Sequence, residues 1–162
     1  MSESSAFVVV PCFAAPSKIH IGGTGYFVSE PVAAGQFVIA PTNIYKVLKI
    51  DELNNLPANL QAASVEWFDQ HFVVSTHWDR ECYMNHSFEP NCHYHLGFTI
   101  AVKPMNAGDE ITIDYRFLLM EGYAAEFLDS VTQQPVIGLP FAEKMLRSAE
   151  ILSRLFQRPA IK

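Results

Sequence analysis

Proline and glycine punctuate this chain so densely that few apolar runs before residue 116 reach helical length, and the first 120 residues read as β-rich. Ala6-Phe7-Val8-Val9-Val10 stops at Pro11. Ile19-His20-Ile21 leads into Gly22-Gly23-Thr24-Gly25, which gives Tyr26-Phe27-Val28. Glu30-Pro31 and Ala34-Gly35 bracket a turn before Gln36-Phe37-Val38-Ile39-Ala40, a predicted strand ended by Pro41. Phe72-Val73-Val74 is a shorter one, and Cys92 to His95 and Phe98 to Val102 flank a turn at Gly97. From Glu110 to Tyr115, Ile111, Ile113 and Tyr115 alternate with Thr112 and Asp114, the period of a strand. Two segments read as helical. Residues 51–70 carry Leu53, Leu56, Leu60, Val65 and Trp67, interrupted by Asn54, Asn55 and Pro57, so one or two short helices are expected. Over residues 140–157, Phe141, Met145, Leu146, Ala149, Leu152, Leu155 and Phe156 form one apolar stripe, with Pro140 at the start and Pro159 beyond the end.

Composition narrows the function classes. With 162 residues, 49% of them hydrophobic and 17% charged, the chain can build one domain's core. A net charge of −6 argues against non-specific nucleic-acid binding. No apolar run approaches the roughly 18 residues of a membrane span, and Met1-Ser2-Glu3-Ser4-Ser5 lacks the basic start of a secretory signal. Three cysteines, Cys12, Cys82 and Cys92, suit thiols in a reducing cytoplasm. The charge is uneven. Residues 143–162 hold five basic and two acidic groups, and the remainder six basic against fifteen acidic. Such a body is either an ordinary solvated acidic surface or one that attracts a basic, lysine-rich partner.

Three segments could carry chemistry. Gly22-Gly23-Thr24-Gly25 lets backbone approach a ligand closely, but lacks the spacing of a dinucleotide fingerprint or a phosphate loop. Tyr83-Met84-Asn85-His86-Ser87-Phe88-Glu89-Pro90-Asn91-Cys92 packs polar side chains between apolar neighbours, where each needs a partner. Asn106-Ala107-Gly108-Asp109-Glu110-Ile111-Thr112-Ile113-Asp114-Tyr115 is a turn and a half-buried strand. Cys82, His86, Cys92 and His95, with His77 and His93 nearby, invite a zinc reading. Their spacing departs from that of structural zinc sites, so packed thiols and no metal are expected.

Together the three segments resemble the SET-domain protein lysine methyltransferases. Gly23-Thr24-Gly25-Tyr26-Phe27 is similar to that family's G-x-G-x-F, Asn85-His86-Ser87-Phe88-Glu89-Pro90-Asn91-Cys92 to its N-H-S-x-x-P-N-C, and Gly108 to Tyr115 to its G-[DE]-E-[LI]-T-x-D-Y. The resemblance covers residues 6–116, leaving 117–162 as a C-terminal segment with the helix. It implies a β fold of several small sheets in which the N-H-S segment threads beneath a loop near the last tyrosine, an exception to unthreaded connections. It implies S-adenosylmethionine as cofactor, no metal, and a lysine-bearing, basic protein as substrate. By residue, it implies that Gly23, Thr24, Gly25 and Tyr26 hold the cofactor's amino-acid end. Tyr83 would lie against the cofactor, and Asn85 and His86 would contact it. Tyr115 would be the active-site tyrosine. Ile113 would line the lysine channel, without a hydroxyl to restrict methyl number, and Tyr94 could narrow that channel.

The chain also departs from the family. No cysteine follows Cys92, so the zinc-binding segment of many members is missing, and residues 127–138 stand in its place. Tyr123, Phe127 and Phe141 are candidates for the tail aromatic against the cofactor. The rival readings are a SET-like binding module without turnover and a small cytosolic zinc protein. Pairing of two copies through the C-terminal helix is a further possibility. Cytoplasmic location is expected, or nuclear if the substrate is a host's chromatin.

Overall fold

A computed structural model describes residues 6–41, 47–62, 64–74 and 80–157. His77, Arg158, Pro159 and Lys162 lie outside the described residues. In chain order the strands begin with β1 (Ala6–Val8), β2 (Cys12–Pro16), β3 (Thr24–Val28), β4 (Phe37–Pro41) and β5 (Val47–Lys49). Two short helices follow, α1 (Ile50–Leu53) and α2 (Ala58–Ala62), then β6 (Ser64–Phe68) and β7 (His71–Val74). Next come β8 (Asn85–His86), β9 (Cys92–His95), β10 (Phe98–Ala101) and β11 (Thr112–Ile113). The tail is β12 (Ala124–Leu128), β13 (Pro135–Ile137) and α3 (Phe141–Phe156).

The strands form small sheets rather than one large one. The order β1-β4-β10-β9 makes a four-stranded antiparallel sheet, β5-β7-β6 a three-stranded one, and β2-β3, β8-β11 and β12-β13 are pairs. Val28, Val32, Val38, Ile39, Ile111 and Met105 form the main core. Each such side chain taken out of water stabilises the fold by about 1.5–3 kcal/mol. A second cluster of Leu48, Leu53, Phe72 and Val74 lies under the three-stranded sheet.

Three expectations are corrected. Val65 and Trp67 belong to strand β6, not to a helix. Val65 is β-branched and pairs with Val73 of β7, so the helical stretch ends at Ala62. The alternating run from Glu110 to Tyr115 is a strand only at Thr112–Ile113. Glu110 bridges to Phe27 instead, and the Asp114 carboxylate accepts from the Arg116 N–H and starts a 3-10 turn at Tyr115. Helix α3 forms where predicted, but only one side of its stripe is covered: Phe141, Met145, Leu152 and Leu155 are half-buried. Leu146 is 68% and Phe156 52% exposed, while Lys144 and Ser148 are buried. Both polar groups are satisfied. The Lys144 ammonium pairs with the Glu66 carboxylate and donates to the Leu119 carbonyl at 2.6 Å, and Ser148 Oγ meets His93 Nε2 at 2.9 Å.

Candidate functional site

The site is assembled around the β8–β11 pair, which runs parallel with Asn85 opposite Thr112 and His86 opposite Ile113. Asn91 closes the turn after β8. Its Nδ2 donates to the Glu110 carbonyl at 2.8 Å, and its Oδ1 accepts from the Thr112 N–H at 2.8 Å. The Ser87 N–H donates to the Ile113 carbonyl at 3.0 Å. Two segments about twenty-five residues apart thus lie side by side, and Tyr115 comes to rest on β8. Its backbone N–H donates to His86 Nδ1 at 3.1 Å and its hydroxyl to the Met84 carbonyl at 2.7 Å.

Glu110 ties the glycine loop to this pair. One carboxylate oxygen accepts from Ser17 Oγ at 2.7 Å and from Asn85 Nδ2 at 2.8 Å, and the other from the Lys18 N–H at 2.7 Å. Asn85 Nδ2 also lies 3.0 Å from the Thr24 carbonyl and 3.2 Å from Ser17 Oγ. The Asn85 amide nitrogen is therefore committed within the protein, which leaves the side chain's carbonyl oxygen as its handle for a ligand. A Cβ on Gly25 would stand 2.4 Å from Glu110 Oε1, and one on Gly23 2.1 Å from the His20 ring. Close approach, not φ, requires glycine at Gly25, where Glu110 is held by its donors, whereas the exposed His20 ring beside Gly23 can swing aside.

A cleft of about 630 Å³ opens beside this wall, within the size range of small-molecule sites. It is lined by Gly23, Thr24, Tyr83, Asn85, His86 and Tyr115 from the body and by Tyr123, Glu126 and Phe127 from the tail. Four of the sequence candidates stand elsewhere. Gly25 backs onto Glu110, Tyr26 is 3% exposed in the core, and Ile113 is 2% exposed in the same core. Tyr94 lines a separate small cavity with Lys144, Ser148 and Phe141. Of the tail aromatics, Tyr123 and Phe127 reach the cleft and Phe141 does not. Ser17, Glu110, Asn91 and Asp129 escaped the sequence reading. Only Asn91 and Glu110 sit inside a quoted motif, and nothing in the sequence marks them as the residues that hold it together.

The electrostatics of the wall follow from burial. Burial pushes the Tyr115 phenol up to about 12, with Cys82 adding to the shift, so the hydroxyl keeps its proton at neutral pH. Burial lowers the His86 pKa against the pull of Asp114 and Asp129, which leaves a neutral imidazole. The His86 ring packs edge-on against Phe88 at 4.7 Å, and Phe127 meets Tyr115 at 5.8 Å between centroids. Cys92 is fully buried, and burial pushes its thiol up to about 12. Among the described residues, no three His, Cys, Asp or Glu side chains gather as metal ligands.

A second cleft, of about 700 Å³, lies between α3 and the outer side of Phe88 to Pro90. Its guanidinium groups are already engaged: Arg116 with Asp114, Arg147 with Glu143 and Arg154 with Glu150. A third, of about 420 Å³, is bounded by Leu53, Gln61 and Phe72 and shares Leu119, Tyr123 and Glu126 with the first.

No helix among the described residues is long and apolar enough to cross a membrane. No curated protein matches the chain. A family model described as SET domain matches residues 23–116, and SET domains are in general S-adenosylmethionine-dependent methyltransferases. The match holds all three motifs, both glycines packed against His20 and Glu110, and the β8–β11 wall with Tyr115. Since it spans well over half of the chain and the small-sheet fold agrees with it, the protein belongs to the SET-domain family.

Proposed function

We propose that this protein is a protein-lysine N-methyltransferase that uses S-adenosylmethionine. One observation carries the reading: the Tyr115 hydroxyl stands at the cleft wall with its proton committed to the Met84 carbonyl at 2.7 Å. A phenol so fixed turns its lone pairs outward and acts there as an acceptor.

The cleft's chemistry fits the cofactor. S-adenosylmethionine, when bound, supplies an electrophilic methyl group on a sulfonium that an amine displaces in line. The rings of Tyr83, Tyr115 and Phe127 line the cleft and favour a cation near their faces. Gly23 and Thr24 bring bare backbone to the cleft, and Asn85 offers its side-chain carbonyl oxygen. These groups would hold the cofactor's amino-acid end and sulfonium. Tyr123 and Phe127 would hold its flat adenine.

A lysine amine can react only as the free base, and an apolar, partly buried site lowers its pKa. Tyr115 then accepts one amine N–H and leaves the nitrogen lone pair aimed along the cleft. Its phenol is too weak an acid to give up its proton at neutral pH and, held protonated, does not act as a base. Its role is alignment, the factor on which an in-line displacement most depends. Tyr115 would keep the amine lone pair free to displace that methyl group from sulfur, and the surplus amine proton would pass to water. The adjoining cleft, which shares Leu119, Tyr123 and Glu126 with the first, gives the lysine an approach. With fifteen acidic groups against six basic ones outside residues 143–162, the body favours a basic protein as substrate. Three thiols in no disulfide suit a reducing compartment such as the cytoplasm. The test is incubation of the isolated chain and a cell lysate with S-adenosylmethionine labelled on its methyl group, followed by mass-spectrometric site mapping. Label on lysine nitrogen is expected, and label confined to other residues or to small molecules would overturn the reading.

A further inference from the structure

One buried contact in the site is incomplete, and it joins the two walls. Asp129 opens the turn between β12 and β13. Its Oδ2 accepts from the Val131 N–H at 3.1 Å, the Thr132 N–H at 2.6 Å and Thr132 Oγ1 at 2.9 Å. Its Oδ1 is buried with no hydrogen-bond partner among the described residues, and so is His86 Nε2. The two atoms face one another at 3.7 Å, with side-chain exposures of 2% for His86 and 1% for Asp129.

The hydrogen on His86 can be placed. Nδ1 accepts from the Tyr115 N–H, so in a neutral imidazole the hydrogen sits on Nε2, the nitrogen that faces Asp129. Burial keeps the ring neutral against the opposing pull of Asp114, Asp129 and the Ile113 backbone, and Arg116 acts in the same sense as burial. On Asp129 burial opposes the charge, but the Thr132 and Val131 donors outweigh it and hold the carboxyl below its ordinary range. A neutral N–H therefore faces a carboxylate oxygen, and neither has another partner. The separation is about half an ångström beyond hydrogen-bond length, so a small inward movement of the turn completes a charge-assisted bond. No cysteine follows Cys92 to hold this hairpin by a disulfide or a metal.

We propose that Asp129 is a positioning residue for the cleft: its Oδ1 latches onto the His86 Nε2–H and holds the tail hairpin, with Phe127, against the Asn85–His86 strand. The proposal rests on the cleft being the cofactor site, but the latch itself is a property of the ligand-free protein. Asp129→Asn keeps an oxygen for the Thr132 and Val131 donors and turns an NH2 toward the His86 N–H, so it preserves the turn and opposes the latch.

Amide hydrogen exchange of ligand-free wild type and Asp129→Asn is the first measurement. We expect exchange at residues 124–137 to rise at least tenfold while α3 exchanges as before. Equal exchange in both folded proteins overturns the latch. In wild type alone, nitrogen-resolved NMR of the imidazole is expected to show the Nε2–H tautomer of His86 with a slowly exchanging proton. An Nδ1–H tautomer, or rapid exchange, overturns it even if the variant does not fold. Calorimetry with S-adenosylhomocysteine should then show at least fivefold weaker binding for Asp129→Asn, with KM for cofactor raised more than kcat is lowered. A wild type that binds no S-adenosylhomocysteine sinks the cofactor reading, while the exchange and tautomer results judge the latch separately.

Discussion

The two walls of the cleft are built in opposite ways. On the body wall, Glu110, Asn91, Asn85 and Tyr115 form a closed set of hydrogen bonds between segments far apart in sequence. On the tail wall, β12 is exposed along most of its length, and only Asp129 and Val136 of the hairpin are buried. A wall whose side chains are tied together across distant segments can hold an amine and a methyl in line. A wall held by a few buried residues can admit a cofactor and close behind it. Under the proposed function the body would align the amine and hold the cofactor's amino-acid end, and the tail would close over its adenine.

The largest way to break that contrast is at the point where the tail leaves the body. A Cβ on Gly138 would lie 2.0 Å from the Met120 carbonyl oxygen, and backbone cannot step aside as a side chain can. Gly138→Ala should cost about 3 kcal/mol in denaturant unfolding. A variant within 1 kcal/mol of wild type, a threshold of about a third of that cost, would mean the tail has more freedom than described.

Acid should act on the body rather than the tail. Burial, with His95 adding to it, lowers His93 from 6.5 to about 4 despite Asp114. Its folded pKa lies below the unfolded value, so the unfolded chain takes up the proton first. The stabilisation is complete above pH 6.5, and on the order of 3 kcal/mol is lost as pH falls toward 4. Denaturant midpoints measured across that range should fall with acid. A flat profile would show that His93 is not held neutral by its burial against Ser148 and Phe117.

Smaller effects separate the walls. Asn85→Ala removes a body-wall ligand and one of the three donors to the Glu110 carboxylate, so S-adenosylhomocysteine binding should weaken by more than tenfold, as expected for a loss of about 1–3 kcal/mol. Phe127→Ala takes away a half-exposed ring on the tail. Binding should weaken only severalfold, in line with about 1 kcal/mol for a cation over an aromatic face, and the melting temperature should not move. If Phe127→Ala lowers stability as much as Asn85→Ala, the tail is part of the rigid frame.

The body wall was legible in the sequence because its parts come as ordered strings. Asn85-His86 and the Gly108-to-Tyr115 run keep fixed spacing, and the fold pairs them in register. That Asn85, His86 and Tyr115 would share one site was legible too, but not which neighbour holds them. Glu110 reads as one acid of a solvated turn until Ser17 and Asn85, 93 and 25 residues away, are seen to donate to it. Lys144 and Ser148 are polar residues on the same face as Phe141, Met145, Leu152 and Leu155, and their partners are 78 and 55 residues distant. Periodicity cannot report such pairs, which is why the most buried positions of α3 are polar ones. Val65 and Trp67 followed a helical spacing that pairing with β7 overrode. Ile113 was expected in the lysine channel from its position in a motif and Tyr94 as an aromatic that could narrow it, whereas Ile113 lies in the core and Tyr94 lines another cavity.

The central claim is that the Tyr115 hydroxyl aligns the amine and is not what holds the cofactor. Tyr115→Phe removes one hydroxyl and its bond to Met84, and keeps the ring that packs on His86 and Phe127. The direct measurement is S-adenosylhomocysteine affinity and single-turnover methyl transfer to lysine on the same folded variant. The account predicts affinity within severalfold of wild type and transfer reduced by roughly 100-fold, the scale seen when one aligned hydrogen-bonding group is lost from an active site. Transfer at the wild-type rate in a folded, cofactor-binding Tyr115→Phe protein would contradict it.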